Sequence, residues 1–109
     1  MEDRELLELA AKACGIGPIL CYESARNCLR IGPRANYRLW RPLDDDTDAL
    51  KIAMRLGICI NLIPDCDTVQ VFQQNEYAEP RNVKTEALDD FGVRRAIVRA
   101  AAEIGRDMP

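Results

Sequence analysis

The sequence predicts a single α+β domain over residues 1–109, in which three α-helices pack on one small antiparallel sheet of three to five strands. Two observations predict this class. Apolar residues recur at helical spacing near both ends and in the middle of the chain, and short β-prone runs lie between these segments. A length of 109 residues, with 48% hydrophobic and 30% charged residues, is typical of one folded domain. The expected element order is α-ββ-α-ββ-α.

The first helix is predicted from Asp3 to Cys14, where apolar side chains recur every three or four residues. Acidic residues lie near its start, where the helix dipole favours them. Gly15 is expected to end this helix in a left-handed conformation. Residues 19–22 and 28–31 are then predicted to pair as a hairpin.

An aromatic residue and a proline run directly into an acidic helix start at residues 40–50, the most informative stretch of the chain. Residues 37–40 are predicted to form a third strand or an extended lead-in, which Pro42 ends. An apolar stripe with i, i+3, i+4, i+7 spacing then predicts a helix over residues 47–56. Gly57 is expected to end it.

The second half of the chain is predicted to contain another hairpin. Residues 58–63 are apolar at nearly every position and β-branched at three of six, which favours a central strand covered on both faces. Helices or a second subunit could supply this cover, and both alternatives stay open. A type I turn at residues 64–67 leads to a return strand at 68–73. The polar, non-periodic segment 74–86 is predicted to be a long loop.

The last helix is predicted to begin at Asp89 or Asp90, either of which could cap it, and to end at Gly105. Its core stripe consists of Val93, Ala96, Ile97, Ala100, Ala101 and Ile104. The side chains expected to face water are Arg94, Arg95, Arg99 and Glu103.

Charge and composition limit the functional classes to which the protein is expected to belong. The net charge of −3 comes from 18 acids and 15 bases scattered along the chain, which argues against nucleic acid as a partner. The charged amino terminus does not resemble a secretory signal and no apolar run is long enough to cross a membrane. We therefore expect a cytoplasmic protein with no membrane partner. With no histidine and no C-x-x-C pair among five cysteines, no metal or cofactor is expected, and the thiols should be reduced and mostly packed as small apolar side chains.

Acidic residues provide the nearest match to a ligand motif. Asp44, Asp46 and Asp48 fit the first three ligand positions of a calcium-binding EF-hand loop. Ala49 then replaces the glycine and Arg55 replaces the bidentate glutamate, so an acidic helix start is the favoured interpretation. Without histidine, catalysis would depend on carboxylates, lysine, tyrosine or a thiol, and the sequence shows no arrangement of these. The chain is therefore predicted not to be an enzyme.

Arginines and aromatic residues form the candidate partner-binding surface. Tyr37 and Trp40 lie among three arginines, an arrangement that could stack on bases or anchor a protein partner. Burial of the Trp40 indole in the core is the favoured alternative for that residue. The complete candidate surface consists of Tyr37, Arg38, Trp40, Arg41, Arg94, Arg95 and Arg99.

Two segments, residues 39–57 with the run Trp40-Arg-Pro-Leu-Asp-Asp-Asp and residues 94–105, together resemble parts of small bacteriophage and prophage proteins of unknown function. These include the proteins grouped as the phage ABA sandwich domain. In that family an aromatic residue and a proline lead into an acidic helix, a hairpin follows, and an arginine- and alanine-rich helix ends the domain. The resemblance implies a phage or prophage origin, expression in a bacterial cytoplasm and an α/β sandwich. It implies no active-site residues.

The expected function is that of a phage accessory protein that acts without catalysis by binding a host or phage protein, with self-association also open. One alternative is a nucleic-acid-binding regulator that uses the arginines of the last helix, for which steep salt dependence would be expected. Another is an inhibitor of host defence, similar in role to an anti-CRISPR protein.

Overall fold

The computed structural model describes residues 2–109 of the chain. This part contains three α-helices and six strands. The helices are α1 (Asp3–Cys14), α2 (Asp46–Leu56) and α3 (Asp90–Arg106). The strands are β1 (Ile19–Glu23), β2 (Cys28–Ile31), β3 (Arg38–Trp40), β4 (Ile58–Ile63), β5 (Thr68–Gln73) and β6 (Arg81–Ala87). The α+β class and the alternation of helices with strand groups are confirmed.

The strands form two antiparallel sheets of three strands each, β1-β2-β3 and β4-β5-β6, where the sequence predicted one sheet. Each strand pairs only with neighbours in sequence, and α2 separates the two groups along the chain. In the first sheet, Leu29 of β2 pairs with Trp40 of β3, which confirms the third strand. In the second sheet, Ile60 of β4 pairs with Val71 of β5, which confirms the second hairpin.

The helix ends described here are formed by capping residues that can be recognised in the sequence. Asp45 caps α2 by accepting a 2.8 Å hydrogen bond from the Thr47 N–H, and Asp89 caps α3 by accepting a 2.6 Å bond from the Gly92 N–H. Gly15 and Gly57 end α1 and α2 with φ of +66°, the left-handed conformation expected of glycine caps.

Gly105 does not end α3, which corrects the predicted boundary. The helix continues to Arg106, and Gly105 is buried against α1. A Cβ atom at this position would lie 2.0 Å from the backbone oxygen of Leu9. Glycine is therefore present because the backbones of α1 and α3 meet here, and not because the helix needs a terminator.

The core lies where α1 and α3 pack together and against both sheets. Small alanines on both helices allow this close approach, and larger side chains from the sheets complete the core. Its fully buried members include Leu7, Ala10, Ala11, Leu29, Trp40, Leu43, Ile52, Val69, Val71, Ala96, Val98, Ala100 and Ala101.

Residues 81–87, predicted as part of a long loop, form strand β6. The strand pairs with β5, and its alternate residues Lys84 and Glu86 face α3, where they form ion pairs with Glu103 and Arg99. The face of β6 toward the helix is thus polar. A strand of this kind lacks the apolar alternation from which strands are recognised in a sequence.

Strand β4, predicted to be central, lies at the edge of the second sheet, and β5 is the central strand. Ile58 is buried, but Ile60 and Leu62 on the same face are 36% and 54% exposed. The helices of the described chain therefore do not cover this face of β4 completely, and cover by a second subunit stays a prediction. Part of the apolar surface of β4 is therefore not buried in the core.

Candidate protein-binding surface

The structure separates the seven residues of the sequence-predicted surface instead of bringing them together. Trp40 is 2% exposed and packs in the core, as the favoured alternative predicted. Tyr37 and Arg38 are exposed near the start of β3. The guanidinium of Arg30 lies 4.9 Å from the Tyr37 ring centroid, so part of this aromatic surface is already occupied.

Arg41 follows β3 and belongs to the junction with α2. Its backbone N–H donates a 2.9 Å hydrogen bond to the Asp48 carboxylate, so this acid fixes the chain on the approach to the helix. Within residues 2–109, the buried Nε of Arg41 has no hydrogen-bond partner. A half-buried arginine of this kind contributes to the junction and offers little free surface.

Three of the four arginines of α3 join that helix to its neighbours. Arg94 donates to the Leu43 carbonyl at 2.9 Å and pairs with Asp46 at 2.6 Å. Arg95 pairs with Asp3 of α1 at 2.9 Å, and Arg99 pairs with Glu86 of β6. Each guanidinium is thus already paired with a carboxylate of this chain. None of these contacts could have been read from spacing along the sequence, because each joins residues at least 13 positions apart.

The acidic residues at the start of α2 have structural roles in capping and pairing. Asp45 is the N-cap, Asp48 accepts from Arg41, and Asp46 pairs with Arg94. Among the described residues, no group of three or more histidine, cysteine or acidic side chains is placed to hold a metal ion.

The five cysteines are free thiols in different environments. Cys14 and Cys28 are buried, and burial raises the pKa of both thiols. Cys21 and Cys66 are exposed, and Cys59 is intermediate. The expectation that most thiols are packed as small apolar side chains therefore holds for two of them.

An apolar groove lies between α2, α3 and the edge strand β4, and the sequence-predicted site residues do not include its apolar side chains. It has a volume of about 250 Å³. Its lining consists of Asp46, Ala49, Leu50, Ile60, Asp90, Val93, Arg94 and Ile97. The groove forms because α3 packs over β5 and β6, which leaves part of β4 uncovered.

Exposed apolar side chains extend this groove along α2 and β4. Leu50 and Met54, one helical turn apart on α2, are 52% and 73% exposed. Ile60 and Leu62 share one face of β4. We call these four residues the β4 surface. A sequence signal for it was present in the run of β4, which is apolar at every position except Asn61.

The backbone of β4 adds a second binding feature. Because β4 is an edge strand, its outer N–H and C=O groups face away from β5 and have no strand partner within residues 2–109. The strand Ile58-Cys-Ile-Asn-Leu-Ile63 contains no charge and no proline, the residues that usually protect an edge from pairing. The β4 surface thus joins exposed apolar side chains to an open sheet edge.

Comparisons with known proteins found no relative from which a function could be transferred. No protein-family model, no curated protein and no solved structure matches the chain. Within residues 2–109, no helix has the length and apolar character needed to cross a membrane.

Proposed function

We propose that this chain is a non-catalytic accessory protein of bacteriophage or prophage origin that acts in the bacterial cytoplasm by binding another protein through the β4 surface. The observation that carries the proposal is the exposure of four apolar side chains beside an open, uncharged strand edge. The resemblance of residues 39–57 and 94–105 to small phage proteins supports the origin.

The partner that fits this surface is an extended segment of a protein that adds to the sheet as a strand beside β4. Backbone hydrogen bonds to the open edge would supply affinity, and alternate side chains would enter the groove over Ile60. The groove and the exposed Leu62 favour apolar residues at these alternate positions.

Charge at the rim of the groove adds a further requirement for the partner. Asp46 and Asp90, at the starts of α2 and α3, both line the groove. Arg94 lies with them but is paired with Asp46, so the rim keeps a net negative charge. A lysine or arginine beside the apolar residues of the partner segment would complement this rim.

Selection from a random library of displayed peptides tests the proposal and reveals the preferred partner sequence directly. The immobilised baits are the wild-type chain, Leu62→Asp and Val83→Asp. Val83 is a matched control, because it is 42% exposed on the other edge strand of the same sheet. Thermal unfolding of each bait checks that the fold is intact.

We expect the wild-type chain and Val83→Asp to enrich the same peptides, with alternating apolar residues and a basic residue. Leu62→Asp should not enrich them, because a buried unpaired carboxylate would oppose strand addition. Equal enrichment by all three baits would contradict binding at β4. Enrichment of acidic or non-alternating peptides by the wild-type chain would contradict the proposed partner chemistry.

A further inference from the structure

Two adjoining cavities lie between the end of α1, the β2–β3 connection and α2, away from the β4 surface. The larger has a volume of about 470 Å³ and the smaller about 240 Å³, and both are lined by Ile16, Arg38 and Arg55. We call the combined space the basic cleft. It has no lining residue in common with the groove beside β4.

Three cations line the basic cleft without partners of their own. The side chains of Arg38, Lys51 and Arg55 form no hydrogen bond or ion pair with any residue in the described part of the chain, residues 2–109. They differ in this from Arg94, Arg95 and Arg99 of α3, each of which is paired with a carboxylate. In a chain of net charge −3, three unpaired cations at one cleft are a local excess of positive charge.

The acid in this lining does not neutralise the cations. Asp48 lines the smaller cavity, but one of its carboxylate oxygens accepts the Arg41 N–H at 2.9 Å. It forms no ion pair with Arg38, Lys51 or Arg55. The lining therefore carries three positive charges against one negative charge.

The walls of the cleft suit a ligand that has both an anionic and an apolar part. Gly15, Gly17 and Gly32 contribute backbone without side chains to the lining of the larger cavity. Apolar side chains, including Trp40 and Ile52, form part of the smaller cavity. The guanidinium groups match the planar, bidentate geometry of phosphate oxygens.

We propose that the basic cleft binds a nucleotide-sized phosphorylated molecule, with phosphate held by Arg38, Arg55 and Lys51 and the base against the apolar lining. The larger cavity alone has a volume in the range of small-molecule sites, and the smaller cavity adjoins it. This site is independent of the protein-binding surface, because Lys51 and Arg55 lie on a different stripe of α2 from Leu50 and Met54.

The fluorescence of Trp40 provides a direct readout, because this is the single tryptophan of the chain and it lines the smaller cavity. The probes are ADP, inorganic pyrophosphate and adenosine, titrated separately into the wild-type chain. We expect a saturable change with ADP and weaker binding of the other two probes. Pyrophosphate binding as tightly as ADP, or adenosine doing so, would overturn the assignment to a nucleotide.

Variants of the arginines locate the site. Arg38→Gln and Arg55→Gln should each weaken ADP binding by about tenfold or more, because each removes a charge-assisted hydrogen bond. Arg34→Gln and Arg81→Gln are matched controls, since both arginines are exposed and lie outside the cleft lining. Equal weakening in all four variants would indicate general charge attraction and overturn the proposal, as would the absence of saturable binding at millimolar ADP.

Discussion

At the scale of single residues, Gly105 is expected to stabilise the protein, whereas a glycine inside a helix usually destabilises it. Helix propensity alone predicts that Gly105→Ala stabilises α3 by up to about 1 kcal/mol. The structure predicts destabilisation by more than about 2 kcal/mol, because the new methyl group would overlap the Leu9 backbone and force α1 and α3 apart. Denaturant unfolding of the two proteins measures the difference.

Gly15→Ala is the control for this prediction. Gly15 has φ of +66° but no atom within 4 Å of an added Cβ. Its substitution should cost only the left-handed penalty of about 1–2 kcal/mol. A Gly105→Ala protein as stable as the wild type would show that the two helices do not approach as closely as described.

Trp40 and Tyr37 were grouped by sequence but lie in different environments. Trp40→Ala should destabilise the protein by about 3–5 kcal/mol, because it removes a fully buried indole from the core. Tyr37→Ala should cost about 1 kcal/mol or less, since this ring is 42% exposed and mainly loses its contact with Arg30. Thermal or urea unfolding distinguishes these effects, and similar losses from both variants would contradict the burial of Trp40.

Residue roles that depend on local backbone could be predicted from the sequence. The caps at Asp89, Gly15 and Gly57 follow from rules that act within a few residues. The roles of Gly105 and Arg94 could not be predicted, because they depend on Leu9 and Leu43, which are far away along the chain.

At the scale of elements, helices were easier to predict than strands. All three helices bury a continuous apolar face, which gives a periodic signal over ten or more residues. The sequence does not predict strand β6, because Lys84 and Glu86 give its inner face a polar character that only the pairing with α3 explains. The apolar run of β4 predicts a buried central strand, and the sequence does not show that this run lies at an open edge.

The contact between α1 and α3 includes an ion pair that makes stability depend on pH. Burial raises the pKa of Asp3, but hydrogen bonds from Asn27 and Arg95 and the charge of Arg95 outweigh this effect, so the net pKa lies below its usual 3.8. A carboxylate with a lowered folded-state pKa stabilises the fold above its unfolded pKa. This stabilisation is lost as the pH falls through the folded value.

Asp3→Asn tests this coupling. At neutral pH the variant should be less stable by about 0.5–1 kcal/mol, the usual range for a partly exposed ion pair. The difference from the wild type should shrink as the pH falls below 3.8, the usual pKa, because Asp3 takes up its proton in the unfolded chain before it does so in the folded protein. Urea unfolding at several pH values measures it, and a difference that grows on acidification would contradict the sign of the shift.

At the scale of the whole molecule, the structure favours the apolar edge strand β4 as a binding surface over the arginines that the sequence predicts. The sequence-predicted surface contains one buried residue, Trp40, and three paired arginines of α3. Of that group, Arg38 remains unpaired, in the basic cleft. The β4 surface was visible in the sequence only as a strand that needed cover, because exposure depends on where α3 packs.

The most direct test of the central proposal, protein binding at the β4 surface, is an affinity capture from nuclease-treated bacterial lysate read by mass spectrometry. Tagged wild-type chain, Leu62→Asp and Val83→Asp are compared at equal loading. We predict that the wild-type chain and Val83→Asp retain the same specific protein, and that Leu62→Asp loses it. Retention by all three, or by none, would contradict the proposal that this chain acts by protein binding at β4.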